Sequence, residues 1–153
     1  MNQIARLLSV DNIAVGLDAS SKKRVFEQAG LLFENQYGLT RALVYDSLFA
    51  REKIGSTALG QGIAIPHGRI KGLKETRAAF FRLAHPVPFD APDGDPVANI
   101  FILLVPEAAT EQHLQLLSEL AQMFSDRAFR DQLAASADAE AVYNVFAQWL
   151  SPD

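Results

Sequence analysis

The residues best able to do chemistry converge on one stretch, Gly60-Gln61-Gly62-Ile63-Ala64-Ile65-Pro66-His67-Gly68. A titratable ring stands there between two backbone punctuators, directly after a short apolar run. Such a position fixes and exposes a side chain, and Gly68 leaves room for a phosphate or a partner to approach the backbone. Imidazole has an ordinary pKa of about 6.5, so near neutral pH much of it is uncharged and able to attack phosphorus without a separate base. His67 is therefore the candidate nucleophile. A phosphoryl group on its ring needs donors already in place for the negative oxygens. Arg51, at the end of a predicted helix, carries a charged fork suited to phosphate oxygens. His113 falls near the N-terminus of another predicted helix, where the dipole disfavours imidazolium and free backbone N–H groups favour an anion. A neutral His113 has one N–H for the phosphoryl group or for orienting His67, so the two histidines are expected to be neighbours in space.

Each residue also has a plainer reading. A histidine in a loop flanked by Gly and Pro is commonly a surface residue. Arg51-Glu52-Lys53 reads equally as a solvated helix end, and His113 as a partly buried first-turn residue. His85, before Pro86, is read as structural or exposed. Other chemistries fare worse. The glycines make neither a P-loop nor a dinucleotide fingerprint. Ser56 and Thr57 lack a nucleophile-elbow context. Three histidines without a His-Glu-x-x-His pattern and a chain without cysteine argue against a zinc site, disulfides and a thiol nucleophile.

The elements that must position these residues follow from periodicity. Ser20 and Ser21 offer caps for a helix over about 21–35, with Val25, Ala29, Leu32 and Phe33 at helical spacing. Thr40 offers a cap for a second, carrying Leu43, Val44, Leu48 and Phe49 and ending in Arg51-Glu52-Lys53. The period then changes. Gly60-Gln61-Gly62 reads as a loop and Ile63-Ala64-Ile65 as a strand stopped by Pro66, with His67 at its C-terminal end. Arg77 to Ala84 reads as a strand with Ala79, Phe81 and Leu83 on its better-covered face and Arg82 opposite. Val97 to Val105 is almost continuously apolar, as a strand covered on both faces must be, and is expected at the sheet centre. Between them, His85 to Asp90 and Pro92-Asp93-Gly94 supply turn chemistry. Thr110 offers a cap for a helix to about Phe124, with Leu114, Leu117, Leu120 and Ala121 inward. A helix over about 126–134 follows. Asp138 caps the last, which buries Val142, Val145, Phe146 and Trp149. Strands and helices interleave, so the fold class is α/β: a small mixed sheet flanked by helices on both faces, built as a single domain over 1–153.

Composition narrows the function classes. With 153 residues, 49% hydrophobic and 21% charged, the chain fits one self-folding domain. A net charge of −4 spread over mixed-sign segments leaves no basic face for nucleic acid. The longest apolar run is well short of a membrane helix and the N-terminus lacks an export signal, so a cytoplasmic protein is expected.

The stretch Arg51-Glu52-Lys53-Ile54-Gly55-Ser56-Thr57, continued by Gly60 to Gly68, resembles the signature around the phosphorylated histidine in the enzyme IIA domains of the bacterial phosphoenolpyruvate-dependent phosphotransferase system. The resemblance is to the fructose/mannitol/nitrogen-regulatory group. Leu103-Leu104-Val105-Pro106 and His113-Leu114-x-x-Leu117-Ser118-x-Leu120-Ala121 extend it over nearly the whole chain. It implies that His67 accepts phosphate from an HPr-type carrier, itself charged from phosphoenolpyruvate by enzyme I. By position, Arg51, His113 and Thr57 match residues expected to line the phosphoryl site. No metal or organic cofactor is implied. Leu17 to Arg24 and the wording Arg51-Glu52-Lys53 look more like the nitrogen-regulatory member, whose relatives control potassium transport proteins and sensor kinases. Departures lie between Asp90 and Asn99, at Pro92, Asp95 and Asn99. Two alternatives stay open: a sugar-specific IIA component passing phosphate to a IIB domain, and a non-catalytic protein-binding module.

Overall fold

The computed structural model describes residues 2–108 and 110–150, the side chain of Thr110 excepted. Its organising element is β6 (Val97–Pro106), whose residues from Ile100 to Val105 are all buried. Phe101, Leu103 and Val105 enter one hydrophobic layer and Ile100, Ile102 and Leu104 the other, the alternation of a strand covered on both faces. Antiparallel to it runs β5 (Arg77–Val87), with Phe80 opposite Phe101 and Ala79 opposite Ile102. Both faces of β5 are covered, since Ala78 and Phe80 join the first layer while Ala79, Phe81 and Leu83 join the second. The strand also continues through His85 and Pro86, where a turn is expected from sequence. An irregularity in register between Arg82 and Val87 accommodates the proline, and His85 is exposed.

Among the described residues the sheet has six strands, in the order β1-β5-β6-β3-β2 with β4 also paired to β6. These are β1 (Ile13–Leu17), β2 (Ala58–Gly60), β3 (Ile63–Ala64) and β4 (His67–Ile70), besides β5 and β6. Parallel pairs β1·β5, β3·β6 and β4·β6 join antiparallel β5·β6 and β2·β3, so the sheet is mixed as expected. The turn from β2 to β3 runs through Gly60, Gln61 and Gly62, all at positive φ (93°, 57° and 74°). Glycine at the flanking positions relieves the strain, and the Asp93 carboxylate accepts the Gln61 N–H at 3.0 Å to pin it.

Helices cover both faces. α2 (Lys22–Tyr37) and α3 (Arg41–Glu52) bury Val25, Phe26, Ala29, Phe33, Val44 and Leu48 in one layer. α1 (Gln3–Leu7), α4 (Thr110–Ser125), α5 (Arg127–Ala135) and α6 (Ala139–Gln148) form the other, with Phe146 surrounded by Phe80, Phe101, Phe124 and Phe129. Ser21 caps α2 through Arg24 N–H, and Asp126 and Asp138 cap α5 and α6. Thr40 stands at the N-cap of α3 without a side-chain cap bond. Whether Thr110 caps α4 lies outside the described residues.

The inward face of α4 differs from expectation. It presents His113, Leu116, Leu120, Met123 and Phe124, whereas Leu114 is 63% exposed and Ala121 is exposed. The run from Leu114 to Leu117 is apolar on several sides, so periodicity alone leaves the rotation of the helix open. On α2, Leu32 is only partly buried.

Candidate functional site

His67 is the first residue of β4, not the last of the preceding strand. The chain from Ile63 to Ile70 runs beside β6 as two pieces, β3 and β4, broken at Ile65-Pro66. Pro66 has no N–H to give, while its carbonyl still accepts from Leu103 N–H at 3.0 Å. The Ile65 carbonyl turns instead to the His67 ring, 2.8 Å from Nδ1. On the other side of the ring, Arg51 Nε–H donates to His67 Nε2 at 3.2 Å. A carbonyl only accepts and a guanidinium only donates, so Nδ1 carries the proton and Nε2 presents its lone pair.

Arg51 arrives from the last turn of α3 and is held a second time by Nη1, which donates to the Gly55 carbonyl at 2.9 Å. α3 can lie this close because Gly68 has no side chain. A Cβ there would collide with Ser47 Oγ and stand 3.1 Å from both the Cβ and the backbone carbonyl carbon of Ser47. His113 comes from α4, in the opposite helical layer, and its ring centroid lies 5.0 Å from that of His67 at 68°. The histidines are neighbours, as expected. His113 is 7% exposed and neither of its ring nitrogens has a partner among the described residues.

The electrostatics favour neutral rings. Burial is the largest influence pushing His67 below the ordinary 6.5; Arg51 and Arg69 add to it, while the Ile65 carbonyl and Glu52 oppose it. Burial likewise lowers His113, helped by His67, Arg69 and Arg51. A site already rich in fixed positive charge resists protons and suits an anion.

Two contributors escaped the sequence reading. Arg69 lies two residues beyond His67 on the same face of β4, and its Nη1 donates to the Glu107 carbonyl at 3.0 Å. Glu52 is buried, and its carboxylate accepts from Thr57 N–H at 3.1 Å, Thr57 Oγ1 at 2.7 Å and Lys22 Nζ at 3.0 Å. The signal was present, since Val44, Leu48 and Glu52 recur every four residues on the buried stripe of α3. Thr57 is placed differently from Arg51 and His113: its hydroxyl is spent on Glu52. Among the described residues no group of acidic or histidine side chains has the arrangement of a metal site, and no helix is long and apolar enough to cross a membrane.

The chain is thus a mixed sheet between two helical layers, with a tautomer-fixed histidine between an arginine and a second histidine. The family model for the phosphoenolpyruvate-dependent sugar phosphotransferase system, EIIA 2, matches residues 6–149, and the chain belongs to that family. Its relatives point to the nitrogen-regulatory branch. A nitrogen regulatory protein of Pseudomonas aeruginosa is 43% identical over 146 residues, covering 95% of each chain. The crystal structure of nitrogen regulatory protein IIA-Ntr from Neisseria meningitidis has a TM-score of 0.89 and 51% identity, covering 94% of this chain and 99% of that one. A fructose-specific EIIA component of Haloferax volcanii is 35% identical over 108 residues, 71% of this chain and 70% of that protein.

Proposed function

We propose that the chain, working as one domain over 1–153, is a regulatory phosphocarrier that accepts a phosphoryl group on His67 Nε2 from a phosphohistidine of an HPr-type carrier. The observation that carries this is the hydrogen-bond pair on the ring, Ile65 carbonyl on Nδ1 and Arg51 on Nε2. As the carrier's N–P bond breaks, the Nε2 lone pair forms the new one, and the carrier's ring recovers its own pair. The proton stays on Nδ1, donated to the Ile65 carbonyl, which steadies the positive charge the His67 ring gains. For attack, the Arg51 Nε–H leaves the lone pair and turns to the phosphoryl oxygens, so the donor that guards the ground state stabilises the transferred group. His113, whose ring nitrogens have no partner among the described residues, supplies an N–H to another oxygen. Thr57 acts on the site indirectly, through Glu52.

Ile54, three residues beyond Arg51, and Leu114, next to His113 in sequence, are 83% and 63% exposed. Apolar side chains beside a cationic centre suit a protein partner that brings an anion. Phosphorylation adds about −1.5 to −2 charges, enough to change which target proteins bind. Potassium transport proteins and sensor kinases are the candidate targets, and a relay from phosphoenolpyruvate is consistent with a cytoplasmic protein. The fructose-specific relative favours a second reading, in which phosphate passes on to a sugar-specific IIB domain. Higher identity to nitrogen regulatory proteins over the full length favours the first.

The test is intact mass after incubation with phosphoenolpyruvate, enzyme I and an HPr-type carrier, comparing the native chain with His67→Ala. An acid-labile adduct on the native chain alone is expected. Its absence from a folded native chain with active carrier would leave a binding module, and passage of label to a fructose or mannitol IIB domain would favour the sugar-specific reading.

A further inference from the structure

We infer that Glu52 is a positioning residue for the phosphoryl site, its buried carboxylate tying the end of α3 to the 55–57 loop and the start of α2 so that the Arg51 guanidinium is held on His67. This rests on the phosphocarrier reading only for its kinetic consequence.

Helix stability does not explain a carboxylate at this position. Glu52 is the last residue of α3, where the helix dipole is negative and a basic side chain would be favoured. Its side chain is only 3% exposed, so the charge has been taken out of water. It also lies close enough to His67 to favour protonation of that ring, the wrong sign for a site that receives an anion. A charge placed against the helix dipole, solvation and the ligand points to another role, and its three donors show what that role is.

Oε1 accepts from Thr57 N–H and from Lys22 Nζ, and Oε2 accepts from Thr57 Oγ1. Lys22 stands at the start of α2, with its ammonium 4.9 Å from the Phe89 ring centroid. The carboxylate therefore joins three segments. Arg51 is its neighbour in sequence and takes its second hold from the Gly55 carbonyl, two residues before Thr57. That carbonyl is fixed only as well as the loop that carries it. Ser56 anchors the loop to the Phe89 carbonyl and Thr57 anchors it to Glu52. Releasing Glu52 frees one of these anchors and lets the Gly55 carbonyl, and with it the guanidinium, move away from Nε2.

The experiment uses full-length native chain, Glu52→Ala, Glu52→Gln and Thr57→Val. Two readouts are taken: the initial rate of phosphate acceptance from a phosphorylated HPr-type carrier, and the nitrogen NMR shifts of the His67 ring at a pH where both histidines are neutral. Glu52→Ala is expected to slow acceptance by about tenfold or more, because small misplacements of a catalytic group carry large rate penalties. It should also move the Nε2 shift toward that of a ring without an Arg51 bond. Glu52→Gln keeps an acceptor and a donor for Thr57 and should restore both readouts to within about threefold and near-native shifts. Thr57→Val should fall between.

A merely structural Glu52 would lower the melting temperature of Glu52→Ala and leave the His67 ring unchanged, and that result overturns the inference. If Glu52→Ala does not fold, Thr57→Val decides, and native rate and shifts in that variant overturn it. Should the native chain take no phosphate while the His67 shifts still respond to Glu52→Ala, the phosphocarrier reading fails and the positioning role stands.

Discussion

Gly68→Ala probes the packing that brings Arg51 to His67. Gly68 does not have a left-handed backbone, so the demand for glycine there is one of space. An added Cβ would overlap Ser47 Oγ and approach the Cβ and carbonyl carbon of Ser47 at 3.1 Å. Oγ can rotate away, but the backbone carbon moves only with α3. Forcing a methyl into such a contact costs about 1–3 kcal/mol, which for a chain of this size lowers the melting temperature by roughly 2–12 °C. The larger effect is on transfer, because the 3.2 Å bond from Arg51 to His67 crosses the same α3·β4 contact. A shift of several tenths of an ångström there should slow phosphate acceptance by roughly 10- to 100-fold. Ser47→Ala in the same chain removes Oγ but not Cβ, so it should recover part of both losses. The assays are a thermal melt and the initial rate of acceptance from a phosphorylated carrier. Gly68→Ala with native melting temperature and native rate would refute the argument that this contact places Arg51, and so would a double variant no better than the single one.

His113→Ala should leave the fold intact, since it removes buried nitrogens that have no partner among the described residues, yet slow acceptance by about 10²-fold; an unchanged rate would remove His113 from the chemistry. Acceptance requires a neutral Nε2, and burial holds His67 below the ordinary 6.5. The rate should therefore persist at pH 6.5 and decline only in more acid solution, and an acidic limb centred at or above 6.5 would contradict the stated electrostatics. For stability the sign follows from proton binding. Both histidines resist protonation when folded, so the unfolded chain takes up protons first and the melting temperature should fall as the pH drops below 6.5. Phe146→Ala should cost about 3–5 kcal/mol in urea unfolding, because its ring is fully buried against four other phenylalanines.

The central strand, the helices with strong caps and the pairing of His67 with Arg51 and His113 were legible because each rests on a local signal: β-branched runs, Ser and Asp caps, a Pro-His-Gly break. β1 was not. It is five residues with Gly16 at positive φ and an irregular register, and it becomes a strand by pairing with β5. β4 was missed for a similar reason, since His67, Gly68 and Arg69 have little strand preference and owe their conformation to β6. In sequence, Glu52 fits a solvated helix end because charged residues there usually face water. Only its fourfold spacing from Leu48 and Val44 contradicted that, and spacing says which way a side chain points, not what waits there to bind it.

The break at Ile65-Pro66 bears on how the chemistry withstands sequence change. The group that assigns the proton to Nδ1 is a main-chain carbonyl, and every amino acid has one. Replacing Ile65 changes a buried side chain and leaves the oxygen where it was, so the path of the chain helps decide which ring nitrogen keeps its lone pair free of a proton. On the proposed phosphocarrier reading, substitutions around His67 weaken transfer or redirect it to another partner. To exchange one ring nitrogen for the other, evolution would have to re-route the strand and move the Arg51 guanidinium with it.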